Sequence, residues 1–247
     1  MCINESLFEN TRDKIVGIQR ERQGIGTLSE KTVHAVLKNY YAPDTDMHEI
    51  PIENFVADIY TGQEIIEIQT RAFNKMRRKL DAFLPVYPVT IVYPIPHIKW
   101  LSWIDEETGE TSPKRKSPKT GNAYMAFIEL YKIRSYLSNP NLHLKVALID
   151  MEEYRLLNGW SRDKKKGSER YDRIPVKFAE EVCIDRREDY MQFVPYDLTE
   201  QFTAKDFAKH AKIPVRLAQT VLLILTDLEI VIRVGKQGHS YLYEVNE

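Results

Sequence analysis

The sequence predicts an α/β fold, a mixed sheet flanked by helices, followed by a small C-terminal module. Segments with helical periodicity alternate with segments rich in Ile and Val over residues 29–157. From Phe202 onward the order changes to helix, tight turn, helix and two short strands. A chain of 247 residues with 43% hydrophobic residues can form one core and a small appended domain. We therefore expect one domain at residues 1–198 and a second at residues 199–247.

The N-terminal third predicts two helices and a group of strands. Residues 10–24 favour a short helix that ends at a glycine. Ser29 is a typical N-cap for a helix over residues 30–41, which ends before Pro43. Residues 47–70 carry extended patterns rich in Ile and Val.

The middle of the chain continues the alternation. We expect a helix over residues 74–84, a buried strand over 88–95, a hairpin and loop over 97–121, a helix over 122–138 and a core strand over 142–157.

Two less regular segments follow the core strand. Residues 160–173 are predicted to form a basic polar loop. Residues 176–182 are predicted to form a helix.

Net charge and cysteine content argue against several classes of protein. The formal net charge is -1, so a basic surface would have to be local. Cys2 and Cys183 lie far apart with no metal-ligand spacing, which argues against a zinc site or a disulfide framework. The polar start MCINESLFEN and the lack of a membrane-spanning apolar run predict a cytoplasmic protein that does not enter a membrane.

The stretch ADIYTGQEIIEIQT, residues 57–70, places two carboxylates near a turn. A turn at Gly62 and Gln63 would pair Asp58 with Glu67 across an antiparallel hairpin. Alternate residues share a face of a strand. One face would then be apolar, with Phe55, Ala57, Ile59, Ile66 and Ile68. The other would carry Val56, Asp58, Tyr60, Ile65, Glu67 and Gln69.

Two opposed carboxylates predict a cation site. Like charges directly opposite on a sheet destabilise it by up to about 1 kcal/mol. Mg²⁺ would offset this repulsion, since it prefers carboxylates, carbonyl oxygens and water. The carbonyl of Ile68 lies between Glu67 and Gln69 and is a third candidate ligand. The alternative is an ordinary solvated hairpin face without a ligand.

The order of elements around these acids resembles the PD-(D/E)xK (restriction-endonuclease-like) nuclease superfamily over roughly residues 25–95. The strand at residues 142–152 would complete its sheet, and the stretch around the acids is similar to competence-associated nuclease-like proteins of the CoiA type. The resemblance implies that Asp58 and Glu67 bind Mg²⁺ or Mn²⁺. It also implies that Glu30 on the first helix adds an acidic group.

One position departs from the superfamily pattern. Gln69 stands where that superfamily usually has lysine, which orients or activates the attacking water. Glutamine cannot act as a base or carry charge. Lys75 or Lys79 on the next helix could supply the missing charge. The histidines show no metal-ligand spacing, and His34 is expected to be a helix-surface or core residue.

The C-terminal module resembles a winged helix. Thr203 is predicted to cap the first helix, with Asp206 in a capping-box position. Pro214 is predicted at the first helical position of the second helix. Residues 235–238 are predicted to form the wing tip.

The winged-helix resemblance implies DNA contacts. The second helix would present Arg216, Gln219 and Thr220 to base edges. Lys236 and His239 would meet phosphates. The alternative is a winged helix used for protein contacts.

Basic runs give further candidate DNA contacts. The first contains Lys114, Arg115 and Lys116, and the second covers residues 162–170. Two such runs on a near-neutral protein could clamp a phosphate backbone. The alternative is that both are solvated loops.

Together these patterns predict a Mg²⁺-dependent DNA endonuclease. The partner would be DNA, and a homodimer would allow both strands of a duplex to be cut. One alternative is a non-catalytic DNA-binding protein on a degenerate nuclease fold, which Gln69 favours. Another is a protein-interaction adaptor.

Overall fold

The computed structural model describes residues 3–22, 32–158 and 169–246. The described residues contain six α-helices, which are α1 Glu5–Arg22, α2 Thr32–Tyr41, α3 Arg77–Phe83, α4 Phe127–Leu130, α5 Ala204–His210 and α6 Val215–Asp227. Short 3₁₀ turns cover Thr45–Met47, Phe73–Met76, Ala123–Ala126, Tyr131–Tyr136 and Arg187–Phe193.

Ten strands form two sheets in the described residues. The strands are β1 His48–Ile52, β2 Phe55–Tyr60, β3 Ile65–Ile68, β4 Val89–Ile104, β5 Arg115–Lys116, β6 Leu142–Leu156, β7 Glu169–Ile184, β8 Phe202–Thr203, β9 Val231–Gln237 and β10 Ser240–Val245. The large sheet has seven strands in the order β1-β2-β3-β4-β6-β7, with β5 added to β4. The small sheet has the order β8-β10-β9.

The large sheet is mixed, and helices flank it. β1 and β2 are antiparallel, with Ile50 opposite Ala57, whereas β3 and β4 are parallel, with Glu67 opposite Ile91. β4 and β5 are antiparallel, with Trp100 opposite Lys116. The predicted mixed α/β class is therefore confirmed.

The chain divides into two compact units that interleave along the sequence. One comprises Met1–Thr61, Pro94–Asn122 and Ala147–Glu181, and the other comprises Gly62–Tyr93, Ala123–Val146 and Val182–Glu247. Neither unit is a single continuous stretch of chain. The domain boundary between residues 198 and 199 stays a prediction.

The first unit buries the apolar face of α2 with an aromatic cluster from distant segments. Val33, Val36 and Leu37 of α2 are buried, as its helical periodicity predicts. The rings of Phe8 and Phe178 lie 5.3 Å apart between centroids. Tyr40 of α2 joins this cluster, and β2 of the same unit carries Asp58.

The second unit contains the C-terminal elements. Thr203 caps α5 and forms the predicted capping box with Asp206. α6 buries Val221, Ile224 and Leu225 on one face. This segment thus has the predicted order of helix, turn, helix and two strands.

Several local predictions are wrong. Residues 176–182 lie in strand β7, because Phe178 and Val182 are buried four residues apart in a strand that pairs with β6. That spacing also occurs on a helix face, so periodicity could not separate the two. Residues 169–173 of the predicted basic loop also belong to β7, and residues 160–168 lie outside the described residues.

The predicted helix over residues 122–138 is also broken. Only Phe127–Leu130 is α-helical, and Ile133 has non-helical angles (φ -123°, ψ 21°) within the following 3₁₀ segment. Pro214 precedes α6 as its N-cap rather than opening its first turn. The wing turn falls at residues 238 and 239 rather than at 235–238, because β9 extends to Gln237.

None of the helices in the described part of the chain is long and apolar enough to cross a lipid bilayer.

Candidate active site

Glu67 is a buried acid in the middle of a short strand. All four residues of β3 are buried, and Glu67 is 3% exposed. The alternative of an ordinary solvated hairpin face therefore does not hold at Glu67. β3 pairs in parallel with β4, and parallel strands of mixed sheets are commonly covered on both faces. A carboxylate at this position needs a partner, because burying an unpaired charge is very costly.

Lys79 is one such partner. Its Nζ lies 2.8 Å from both Oε1 and Oε2 of Glu67. Its side chain is 24% exposed. Of the two lysines that the sequence suggested, Lys79 reaches the acid, while Lys75 is exposed on the preceding turn.

Gln69 follows the buried strand, and its side chain turns toward the backbone of Arg71. Its side-chain Nε2 donates to the carbonyl oxygen of Arg71 at 2.5 Å. Its backbone N–H donates to the carbonyl oxygen of Val92 at 2.9 Å. The amide oxygen is therefore the atom of Gln69 through which it could accept a hydrogen bond from water.

Asp58 lies on β2 and contacts a histidine from α2. His34 Nε2 lies 3.2 Å from Asp58 Oδ2, and the two side chains are 22% and 17% exposed. The sequence placed His34 on the helix surface or in the core and did not connect it with Asp58. Nothing in the local pattern could have done so, because only the packing of α2 beside β2 brings them together.

The roles of two further predicted site residues stay predictions. Glu30 lies outside the described residues. Ile68 lies in β3 and is 2% exposed, and the role of its carbonyl as a ligand stays a prediction.

The residue types suit a hard divalent cation. Asp58 and Glu67 offer carboxylate oxygens, the donors that Mg²⁺ and Mn²⁺ prefer. Within the described ranges, no group of three or more His, Cys, Asp or Glu residues is arranged to hold a metal ion. A metal site at these acids stays a prediction.

The predicted DNA contacts on α6 differ in accessibility. Arg216 and Gln219 are exposed, whereas Thr220 is half-buried. The hydroxyl of Thr220 donates to the carbonyl oxygen of Arg216 at 3.2 Å. Arg216 and Gln219 thus present their polar groups to solvent, while Thr220 uses its hydroxyl within the helix.

The β9–β10 hairpin carries more cations than the sequence analysis selected. Lys236 and His239 are both exposed. Arg233 Cζ lies 4.5 Å from the ring centre of Tyr241, and Lys236 Nζ lies 5.2 Å from the same ring. The alternation along β9 could have indicated Arg233, but only pairing with β10 shows that both cations meet one aromatic ring.

In the first basic run, one residue forms an ion pair within the protein and the other two are exposed. Lys114 forms an ion pair with Glu152 at 2.5 Å. Arg115 and Lys116 form β5 and are exposed. Their contact with DNA stays a prediction.

The fold and these residues define a mixed α/β protein with a buried acid–amine pair and exposed cations on its C-terminal elements. The chain belongs to the family described as Domain of unknown function (DUF8091), which matches residues 31–185. That match contains Asp58, Glu67 and Lys79, and it ends before α5 and α6.

A relative in Treponema pallidum (strain Nichols), described as an uncharacterized protein, is 27% identical over 167 residues. The aligned region covers 67% of this chain and 64% of the relative, so this chain spans less than two thirds of that protein. No solved structure matches this chain.

Proposed function

We propose that this chain is a Mg²⁺- or Mn²⁺-dependent DNA endonuclease, as its resemblance to the PD-(D/E)xK superfamily implies. The observation that carries the proposal is the contact between Glu67 and Lys79. The superfamily pattern calls for an acid followed by an amine, and Gln69 breaks that pattern in the sequence. Lys79 supports the proposal because it brings an amine to Glu67 from α3.

Each side chain of the proposed site would have its own role in catalysis. Asp58 and Glu67 would hold the cation through carboxylate oxygens. The bound cation would supply a nucleophilic hydroxide and stabilise charge on a phosphoryl oxygen. Gln69 would position water through its amide oxygen, since its amide nitrogen is bonded to Arg71.

His34 would act as a positioning residue for Asp58. A side chain that contacts a ligating carboxylate limits its orientation and tunes its affinity for a cation. The 3.2 Å separation of His34 Nε2 and Asp58 Oδ2 fits this role.

The C-terminal elements would bind the DNA. Their resemblance to a winged helix implies that α6 enters the major groove. The exposure of Arg216 and Gln219 supports this, because arginine and glutamine side chains read guanine and adenine edges. The cations on the β9–β10 hairpin would contact phosphates.

A second candidate is a DNA-binding protein without cleavage activity. The same Glu67–Lys79 contact favours it in one respect, because an ammonium group already balances the carboxylate. On this proposal the pair would be a structural ion pair between α3 and β3.

Cleavage of supercoiled plasmid by the full chain separates the two candidates. Wild type, Asp58→Asn and Glu67→Gln are compared in Mg²⁺, Mn²⁺ and EDTA, with Glu106→Gln in an exposed turn as the matched control. Nicking that is lost in EDTA and in both site variants, but kept in the control, supports the nuclease. Plasmid binding without nicking by the wild type supports the second candidate, and absence of both overturns both proposals.

A further inference from the structure

Positively charged side chains from three strands contact one buried carboxylate in the first unit. Glu153 on β6 has no exposed surface. Its side chain meets Lys99 from β4, Arg155 from β6, and Arg170 and Arg173 from β7. We call these five residues the Glu153 cluster.

Both carboxylate oxygens of Glu153 accept hydrogen bonds from these cations. Arg155 donates to Oε1 of Glu153 from Nε at 2.8 Å and from Nη2 at 2.6 Å. Oε2 accepts from Lys99 Nζ and from Arg173 Nε, each at 3.1 Å. Arg170 Nε lies 3.4 Å from the same oxygen. One acid thus organises four cationic side chains at one place on the sheet.

The cluster carries more positive than negative charge. Burial disfavours ionised Glu153, but Arg173, Lys99 and the other cations outweigh it and lower the pKa of Glu153 to about 2. Glu153 is therefore ionised at neutral pH, and its single negative charge faces Lys99, Arg155 and Arg173 together. Burial lowers the pKa of Lys99, and the positive charges of Arg173 and Arg155 lower it further against the opposing effect of Glu153.

Neighbouring acids on β6 make contacts outside the cluster. Asp150 accepts hydrogen bonds from the backbone N–H of Ile98 and lies 2.9 Å from Nδ1 of His97. Glu152 forms an ion pair with Lys114. Both acids are therefore engaged with groups other than the four cations.

The four cations remain partly accessible from solvent. Their side chains are 21% to 37% exposed, whereas Glu153 is covered completely. A structural ion pair needs one cation, and Lys99, Arg155 and Arg173 held close together around one carboxylate repel each other. A polyanionic ligand would offset that repulsion. Arginine suits a phosphate in particular, because its planar donors can bind two oxygens at once.

We propose that the Glu153 cluster is a phosphate-binding site that holds the phosphodiester backbone of DNA. Lys99, Arg155, Arg170 and Arg173 would contact the phosphate oxygens, and Glu153 is the positioning residue that holds them together. The choice of DNA as the source of the phosphate rests on the proposed function. The site itself rests on the charges and distances within the first unit.

The double variant Arg155→Gln/Arg173→Gln tests the cation contacts. Lys99 and Arg170 still face Glu153 in this variant, so the buried carboxylate keeps cationic partners. The matched control is Arg134→Gln/Arg187→Gln, which also removes two partly exposed arginines that pair with acids. Thermal unfolding checks that both proteins fold, and the single variants extend the test if the double variant does not.

Binding is measured with the full chain and a labelled 20-base-pair DNA duplex in EDTA over a series of salt concentrations. Each lost phosphate contact lowers the slope of log K against log salt by about 0.9. We expect the cluster variant to lower this slope by about two and to weaken binding at least tenfold at low salt. The control should bind like the wild type.

The variant Glu153→Gln tests whether Glu153 positions the cations or affects DNA binding only through its negative charge. If only net charge mattered, removing a negative charge would tighten DNA binding. We expect weaker binding instead, because the cations lose the group that holds them together. Tighter binding by a folded Glu153→Gln variant would overturn the positioning role.

The outcomes separate this inference from the proposed nuclease. Cluster-dependent DNA binding by a wild type that does not cleave in Mg²⁺ or Mn²⁺ supports the inference and overturns the nuclease. Cleavage with binding unchanged in the cluster variant supports the nuclease and shows that the cluster is an internal ion network. Failure of the wild type to bind DNA overturns the inference.

Discussion

Lys79 and the buried Glu67 form a partly buried ion pair in which one ammonium nitrogen lies 2.8 Å from each carboxylate oxygen. The pair joins α3 to β3, and the Glu67 side chain is 4% exposed. A buried pair does not by itself add stability, because both charges lose their hydration. Removing one partner leaves the other charge buried, and that loss is large.

We predict that Lys79→Met lowers the free energy of unfolding by about 3 to 5 kcal/mol, because it leaves Glu67 without this ammonium partner. Lys75→Met, on the exposed turn before α3, should change it by no more than about 0.5 kcal/mol. Urea denaturation followed by circular dichroism measures both. Equal values for the two variants would show that the ion pair is absent in solution.

We predict that His34→Gln weakens Mg²⁺ binding about 10- to 100-fold if Asp58 is a metal ligand, since residues that orient ligands have effects of this size. Calorimetric titration with Mg²⁺ or Mn²⁺ measures the affinity, and plasmid cleavage measures activity. His143→Gln is the matched control, because His143 is also partly exposed and its ring lies 3.1 Å from the carbonyl oxygen of Asp185. A His34→Gln variant with unchanged affinity would contradict the positioning role.

We predict that Glu153 makes stability depend on acid pH. Its pKa is lowered from 4.5 to about 2 in the folded protein, where the four cations outweigh the effect of burial. A group with a lowered folded pKa stabilises the protein above its unfolded pKa, and this contribution is lost as pH falls. The stabilisation should therefore be complete above about pH 4.5 and decline toward pH 2, with a total on the order of 3 kcal/mol.

Urea unfolding of wild type and Glu153→Gln at pH 6, 4 and 3 tests this dependence. The variant should be less stable at pH 6, and the difference should shrink as the pH falls. Other acids titrate equally in both proteins and cancel in the difference. A difference that stays constant down to pH 3 would show that the pKa of Glu153 is not lowered.

We predict that Arg216→Ala and Gln219→Ala reduce the sequence preference of DNA binding by about 1 to 3 kcal/mol at the affected base pairs. Lys205→Ala, an exposed cation on α5, should leave that preference unchanged. Binding to a randomised duplex library followed by sequencing gives the preference. A uniform loss over all sequences would instead indicate phosphate contacts.

We predict that Thr203→Ala destabilises the protein by about 1 kcal/mol, because the N-cap of α5 is lost. Thr203 Oγ1 accepts a hydrogen bond from the Asp206 N–H and donates to Asp206 Oδ2 at 2.7 Å. Thr203→Ser keeps the hydroxyl and should retain most of the stability. Equal losses in both variants would assign the effect to packing of the Thr203 methyl group.

Much of the fold could be predicted because local patterns report local structure. The apolar faces of α2 and α6 follow helical periodicity, and the Thr203 cap follows from a short motif. Strand β7 was missed because Phe178 and Val182 have a spacing that a helix face also shows. Its pairing with β6 is a long-range contact that periodicity does not contain.

The sequence by itself determined the mixed α/β class, the placement of two acids on neighbouring strands, and the cationic character of the C-terminal elements. Only the tertiary structure decided that Glu67 is buried against Lys79, that Asp58 lies beside His34, and that Glu153 gathers four cations. The physical reason is that residue type and spacing indicate which side chains are polar or apolar. The partner of each charge depends on which distant segments pack together when the chain folds.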